Sequence, residues 1–270
     1  MNSFGLPDFF APGVAAAFVL TALRVGGLLL IAPVWSAKTV PMKLRTAMLV
    51  VFATLLLPSA TATADLDSIA ITPASFLGET AIGFALGLAA ALIIAAAEFA
   101  GEIMTTSIGL SGAAIFDPIN NTQGAVLSSL MQLLSLTILL IGGGHILMLE
   151  AVAQSFVAMP LGAPLAVTNG LLALVRMMAT MFAVALQFAS PVIAAVLITN
   201  MALAVLGRAA PQLQVISLAF PLQIGVGLIT LAGSIGLMVH AMSDWTPRYA
   251  TSLENFARAV QVPPVPAAGR

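Results

Sequence analysis

The chain has 270 residues, of which 60% are hydrophobic and only 7% are charged, and its net charge is −1. A soluble domain carries about 25% charged residues, so composition excludes an ordinary water-facing surface and predicts an all-α membrane protein. The balanced charge argues against nucleic-acid binding. The absence of cysteine excludes disulfides, thiolate metal sites and cysteine nucleophiles.

Apolar residues are grouped into about six blocks. In chain order the blocks are residues 9–34, 47–60, 76–100, 125–150, 171–206 and 213–242. A membrane-spanning helix needs about 20 apolar residues, so the first, third and fourth blocks each fit one crossing. The second block is too short, and the fifth exceeds one bilayer by far. Thr72 and Pro73 are expected to open the third block. The N-terminal block is expected to stay in the protein, since Asp8 stands where a cleavable signal needs positive charge.

Proline and glycine are expected to break or end helices in the second half of the chain. Pro191 lies near the middle of the fifth block and is expected to kink or break it. Gly207 is expected to end that block, and Pro211 to start the next helix. Residues 171–242 should therefore form a helical hairpin with Arg208, Pro211 and Gln212 at its tip. Residues 1–245 are read as one helical membrane domain, and residues 246–270 as a partly disordered tail.

The first loop carries Lys38, Lys43 and Arg45. Because positively charged loops stay on the cytoplasmic side, this loop is expected to be cytoplasmic and the N-terminus to lie outside.

Charged residues inside or next to apolar blocks are functional candidates, since each costs at least about 2.5 kcal/mol in a bilayer. The candidates for polar contacts between subunits are Arg24, Glu98, Glu102 and Arg176. Glu79 flanks the third block. Glu98 and Glu102 share a helix face and would suit a proton-coupled transporter, or else they face a loop, a water-filled lumen or a partner's arginine. His145 is read as a hydrogen-bonded histidine near a helix break, with a proton relay as the alternative.

The segment 109–124 is rich in glycine, contains an Asp-Pro turn and lies between two apolar blocks. Irregular backbone at membrane depth is tolerated where it lines an aqueous pore. The segment is therefore either an external loop or a plug. The plug residues would be Leu110, Ser111, Ile115, Phe116, Asp117 and Pro118.

Several short motifs occur in one order along the chain. They lie at residues 22–25, 32–34, 40–45, 109–111, 116–118, 144–145, 161–162, 200–203, 208–213 and 220–222. Together they resemble the FliR family of flagellar export-apparatus proteins. The injectisome SctT family shares much of this pattern.

This resemblance implies a subunit of the export gate of a type III secretion system, located in the bacterial inner membrane at the flagellar basal body. Such a subunit assembles with FliP and FliQ homologues and is contacted by FlhB. The hairpins wind into a cone, partly raised out of the bilayer plane, through which unfolded flagellar proteins pass. The segment 109–124 would be the plug of that channel.

The sequence shows none of the common catalytic motifs, and neither an enzyme nor a cofactor is expected. The alternatives to a flagellar pore subunit are an injectisome SctT-type export subunit and a secondary solute transporter. The transporter would need a site around Glu98, Glu102 and Arg176, and an internal repeat that the sequence does not show. A membrane scaffold without a conduit is a further possibility.

Overall fold

The structure is a computed structural model that describes residues 13–37, 40–66, 69–110, 126–163, 167–210 and 215–243, together with 251, 255 and 256. These residues form helices and turns without any strand. The described helices are α1 Val14–Ile31, α2 Met42–Ala62, α3 Pro73–Ile108, α4 Val126–Ile141, α5 Gly144–Ala158, α6 Val167–Ala209 and α7 Val215–Ser243. The prediction of an all-α protein with long apolar helices is confirmed.

The start of α3 follows from local chemistry. Pro73 occupies the first helical position, where its missing N–H is no loss. The Ser75 N–H donates to Thr72 Oγ1 over 3.1 Å, and the Thr72 N–H donates to Ser75 Oγ over 2.9 Å. These reciprocal bonds satisfy backbone donors that a helix start leaves free. The predicted start at Thr72-Pro73 is confirmed.

α3 is longer than the third apolar block. It runs for 36 residues, about 54 Å, and continues past Glu98 and Glu102 to Gly109, whose φ of 85° stops it. The helix therefore extends past the predicted end of the block at residue 100, because exposed carboxylates do not interrupt the backbone hydrogen bonds of a helix.

The fourth block is not one continuous helix. It breaks at Gly142 and Gly143 into α4 and α5, and Gly143 has a φ of 73°, which glycine adopts without the cost that a Cβ adds. Five described helices are long and apolar enough to cross a membrane, or six if the bent pair α4 and α5 counts as one span. One of the five is α2, which has 21 residues, so the expectation that the second block is too short is wrong.

Pro191 does not break α6, which runs for 43 residues and ends at Ala209 rather than at Gly207. A proline removes the N–H that would bond the carbonyl four residues earlier, here that of Gln187. The Ser190 hydroxyl donates to this carbonyl over 2.8 Å. Local compensation of this kind lets the helix continue.

The chain divides into two compact units. Unit 1 contains α1, α2, α3 up to Leu92, α5 and α6 up to Met177. Within it α2 packs against α1 and α5, and the Thr63 hydroxyl donates to the Phe156 carbonyl over 3.0 Å.

Unit 2 contains the remainder of α3, α4, the remainder of α6 and α7. Its apolar core combines buried side chains of all four helices. Among them are Ala97, Ala100, Met104, Ile108, Leu127, Met131, Phe188, Val192, Val196, Leu231 and Met238.

Candidate functional site

A buried ion pair lies at the centre of unit 1. Arg24 of α1 is fully buried, and Glu79 of α3 is 2% exposed. The Arg24 Nε donates to Glu79 Oε2 over 2.6 Å. Two opposite charges that are removed from solvent together in this way neutralise each other locally, which an isolated charge in an apolar protein cannot do.

The remaining polar atoms of the pair also have partners. Arg24 Nη1 donates to the Ser155 hydroxyl and Nη2 to the Met159 carbonyl, each over 3.0 Å. Glu79 Oε1 accepts from the Gly162 N–H over 3.0 Å. The guanidinium carbon lies 4.4 Å from the centre of the Phe156 ring, within cation–π range. The pair therefore fastens α5 and the turn that follows it to α1 and α3.

Glycines allow α1 and α3 to approach closely beside this pair. A Cβ built on Gly27 would lie 2.8 Å from the Phe84 nitrogen, and one on Gly83 would overlap the Arg24 carbonyl oxygen. A Cβ on Gly87 would lie 3.0 Å from the Leu28 oxygen. Glu79, Gly83 and Gly87 are spaced four residues apart, so the acid and the two glycines share one face of α3. Small residues with this spacing are a standard means of helix association in membranes.

The structure places the four polar candidates in different surroundings. Arg24 has its partners inside the chain. Glu98 and Glu102 lie on the exposed surface of α3, where Glu98 accepts from Gln132 Nε2 over 3.2 Å. Arg176 is exposed on α6. The polar candidates therefore form no common cluster within either unit.

Of the predicted plug and tip residues, only two are described. Leu110 is partly buried against the core of unit 2, and Arg208 is exposed in the last turn of α6. The others lie outside the described residues: Ser111, Ile115, Phe116, Asp117, Pro118, Pro211 and Gln212.

His145 lies in the first turn of α5. Its Nδ1 is buried and has no hydrogen-bond partner among the described atoms, so a hydrogen-bonded histidine here stays a prediction. In the described parts of the chain, no three histidine, aspartate or glutamate side chains come together as metal ligands would.

Sequence reasoning missed the pairing of Arg24 with Glu79. It named both residues but did not join them, because they are 55 residues apart. The four-residue spacing of Glu79, Gly83 and Gly87 was the available signal that another helix packs closely against this face of α3. No sequence signal indicated Ser155 or Gly162, which act here through a hydroxyl and a backbone N–H.

These long apolar helices, in which the buried charges of Arg24 and Glu79 pair with each other, define a multi-helix integral membrane protein. A family model described as bacterial export proteins, family 1, matches residues 15–248. The chain belongs to this family.

Individual relatives are similar in sequence to most of the chain. The flagellar biosynthetic protein FliR of Escherichia coli K12 is 33% identical over 224 residues, which cover 80% of this chain and 83% of the relative. FliR of Caulobacter vibrioides is 27% identical and covers 95% of this chain and 100% of the relative. FliR of Bacillus subtilis 168 is 25% identical over 80% of this chain and 84% of the relative. The resemblance to the FliR family is confirmed.

Proposed function

We propose that the chain is a structural subunit of the flagellar type III protein export gate in the bacterial inner membrane, at the flagellar basal body. In this proposal it passes unfolded flagellar proteins, catalyses no reaction and needs no cofactor or nucleic acid. Residues 1–245 act as one membrane domain, with residues 171–242 as its hairpin. Family membership and the names of the relatives, which are flagellar, support this assignment over an injectisome role.

The exposed apolar surface of α6 is the observation that carries the proposal. Large apolar side chains with at least 40% of their surface exposed occur at intervals from Leu171 to Leu206. These two residues are 35 positions apart, or about 52 Å along the helix. Only 28% of the most apolar window of α6 is buried inside the chain. Something other than the described residues must cover this stripe.

Lipid alone is too thin to cover it. A hydrocarbon core of about 30 Å would accommodate a 52 Å stripe only at a tilt of roughly 55°, whereas membrane helices tilt by about 0–40°. Part of α6 therefore needs apolar protein neighbours. Homologues of FliP, FliQ and FlhB are the partners we propose.

The closure of the gate is assigned to segment 109–124. Apolar side chains in a narrow pore exclude water and ions by dewetting, and Leu110, Ile115 and Phe116 supply such side chains at rest. They move aside when an exported chain enters. Deletion of residues 112–120 should increase ion leakage, and unchanged leakage would contradict the closure.

The assembly itself can be tested by cross-linking, because the chain contains no cysteine and single cysteines need no altered background. Cysteine is placed in turn at Leu172, Phe182, Ile198 and Val205, all exposed on α6, in cells that carry the complete export apparatus. Cross-linking through a short bifunctional reagent should capture apolar partner subunits at a contiguous set of these positions. Cysteine at Val192, which is fully buried, serves as the control and should capture none. Failure at all four exposed positions would contradict an α6 covered by protein.

A further inference from the structure

The outer face of α3 is polar within unit 2. Between Ile93 and Ile108 the exposed positions of this helix are Glu98, Glu102 and Thr106, and every other position is buried or partly buried. Residues four apart lie on one face of a helix, so the two carboxylates stand one turn apart in the same row. A carboxylate that faces lipid without a partner is unfavourable. This row therefore needs a counter-charge or water.

The described residues supply no counter-charge to the row. Unit 2 holds one lysine or arginine in its sequence, Arg208 in the last turn of α6. Among the described side chains of the whole chain, neither carboxylate takes part in an ion pair. Glu98 accepts a hydrogen bond from Gln132 Nε2 of α4 over 3.2 Å, which occupies one oxygen but leaves the charge uncompensated.

An apolar stripe on α4 runs beside the carboxylate row. The two helices cross closely, since a Cβ built on Gly101 of α3 would lie 2.6 Å from the Ser128 Cα of α4. Leu133, which is 62% exposed, directly follows Gln132, the residue that bonds Glu98. Large exposed side chains continue along the same side of α4 at intervals of three to seven residues: Val126, Leu130, Leu133 and Leu140.

Neither lipid nor water suits this whole surface. Lipid would leave the two carboxylates without a counter-charge, and water would leave the apolar stripe of α4 uncovered. A helix that packs on the stripe and brings lysine or arginine to the row satisfies both parts at once. Charge complementarity therefore indicates the chemistry of the occupant.

We infer that a surface of α3 and α4 binds one helix of a partner subunit, and that this helix carries lysine or arginine at two positions one turn apart. We name this surface the α3–α4 face and define it as Glu98, Glu102, Leu130 and Leu133. The inference rests on the proposed function, since it requires that the chain assembles with other membrane subunits. The long stripe of α6 needs only apolar neighbours, whereas the α3–α4 face selects its partner, because a helix without cations leaves both carboxylates uncompensated.

The test is a competition between variant and parent chains in cells that carry the complete export apparatus. The two full-length chains carry different epitope tags, the complex is purified through the FliP homologue, and the ratio of the two chains is measured in the complex and in the whole membrane. Glu98→Gln together with Glu102→Gln should lower the incorporated ratio about thirtyfold or more, because the cations of the partner stay buried and unpaired.

Glu150→Gln is the matched control. Glu150 is also exposed and also accepts a hydrogen bond from a glutamine amide, that of Gln154, over 3.3 Å. Because it lies on α5, outside the α3–α4 face, its neutralisation should leave the incorporated ratio unchanged.

Charge reversal identifies the partner. Glu98→Lys together with Glu102→Lys should be excluded from the complex more strongly than the neutral variant, because like charges then meet. Cross-linking from Leu130→Cys and Leu133→Cys in the parent chain locates the partner helix. Exchange of the lysines or arginines of that helix for glutamate should restore incorporation of the charge-reversed chain.

Two outcomes in the complex would overturn the α3–α4 face. One is a Glu98→Gln, Glu102→Gln chain that is incorporated as well as the parent, or a Glu150→Gln chain that is lost equally. The other is a Glu102→Cys chain that reacts in the assembled complex with a membrane-impermeant thiol reagent as fast as it does in the free chain, because the row would then face water.

Folding and the proposed function are checked separately. Thermal unfolding of the purified Glu98→Gln, Glu102→Gln chain should match that of the parent, since both carboxylates are exposed; a clear loss of stability would overturn the inference by assigning the carboxylates a role within the chain. A parent chain that does not co-purify with the FliP homologue would contradict the proposed function itself, whereas a parent chain that assembles beside an equally assembled variant contradicts the α3–α4 face alone.

Discussion

Neutralising one member of the Arg24–Glu79 pair should destabilise unit 1 severely. In Glu79→Gln the new amide can still accept from the Gly162 N–H, but the fully buried guanidinium loses its counter-charge. Removing one partner of a buried pair costs about 3–5 kcal/mol, because the other charge stays buried. A loss of 3 kcal/mol lowers the folding equilibrium constant more than a hundredfold. Arg24→Met should cost a similar amount, because it leaves the Glu79 carboxylate with a single described donor.

The pair can be separated from general disruption with a double-mutant cycle. Free energies of unfolding are measured for Arg24→Met, Glu79→Gln and the double variant in mixed micelles by SDS titration. Trp245 is replaced by Phe in every variant, because the chain has two tryptophans. The fluorescence of Trp35, which is 6% exposed in unit 1, then reports on unfolding. The double variant buries no charge, so it should lose at least about 2 kcal/mol less than the sum of the two single variants. Arg176→Met is the matched control, since Arg176 is exposed, and should change stability by no more than about 0.5 kcal/mol.

Additive losses would refute this reasoning, because they would mean that the two charges do not interact. Single variants within 1 kcal/mol of the parent chain would refute it as well, by showing that water or another group satisfies the remaining charge.

Two further predictions concern helix packing and the helix backbone. Gly83→Ala should destabilise unit 1 by about 1–3 kcal/mol, because the new methyl group overlaps the backbone of α1 and forces the helices apart. The control Gly233→Ala should be neutral or slightly stabilising, because a Cβ there meets nothing within 4 Å. Equal losses of stability in the two variants, measured by thermal unfolding, would contradict the close crossing. Ser190→Ala should cost about 1 kcal/mol, because the Gln187 carbonyl loses the hydroxyl that replaces the missing proline N–H. Ser107→Ala removes a comparable hydroxyl bond from a carbonyl that keeps its regular helical N–H, so the same unfolding measurement should show a smaller loss.

Local signals in the sequence predicted the helix class and several helix ends. Thr72 and Pro73 were read correctly as the start of α3, because the capping hydroxyl and the proline act within one turn. The helix break near His145 was expected, and the structure places it at Gly142 and Gly143. Length and hydropathy alone would not have shown it, because the apolar run around it has the length of a single crossing.

The sequence predicts only in part which glycines the packing of helices requires. Gly225 and Gly227 appear equivalent in the chain, two residues apart in the same apolar helix. In the structure a Cβ on Gly225 would meet nothing within 4 Å, whereas one on Gly227 would overlap the Ile108 side chain. Which of the two is required depends on the helix that packs against it.

The sequence by itself determined that this protein is helical, apolar and too long in its helices for a simple set of crossings. Composition and the length of the apolar runs can be read from the chain alone. They indicate whether lipid or protein must surround each helix. Only the tertiary structure decided that Arg24 is neutralised by Glu79, and that Gln223 bonds Asn200. These contacts join residues that are 55 and 23 positions apart. The cost of a buried charge says that a partner must exist without saying where along the chain it lies.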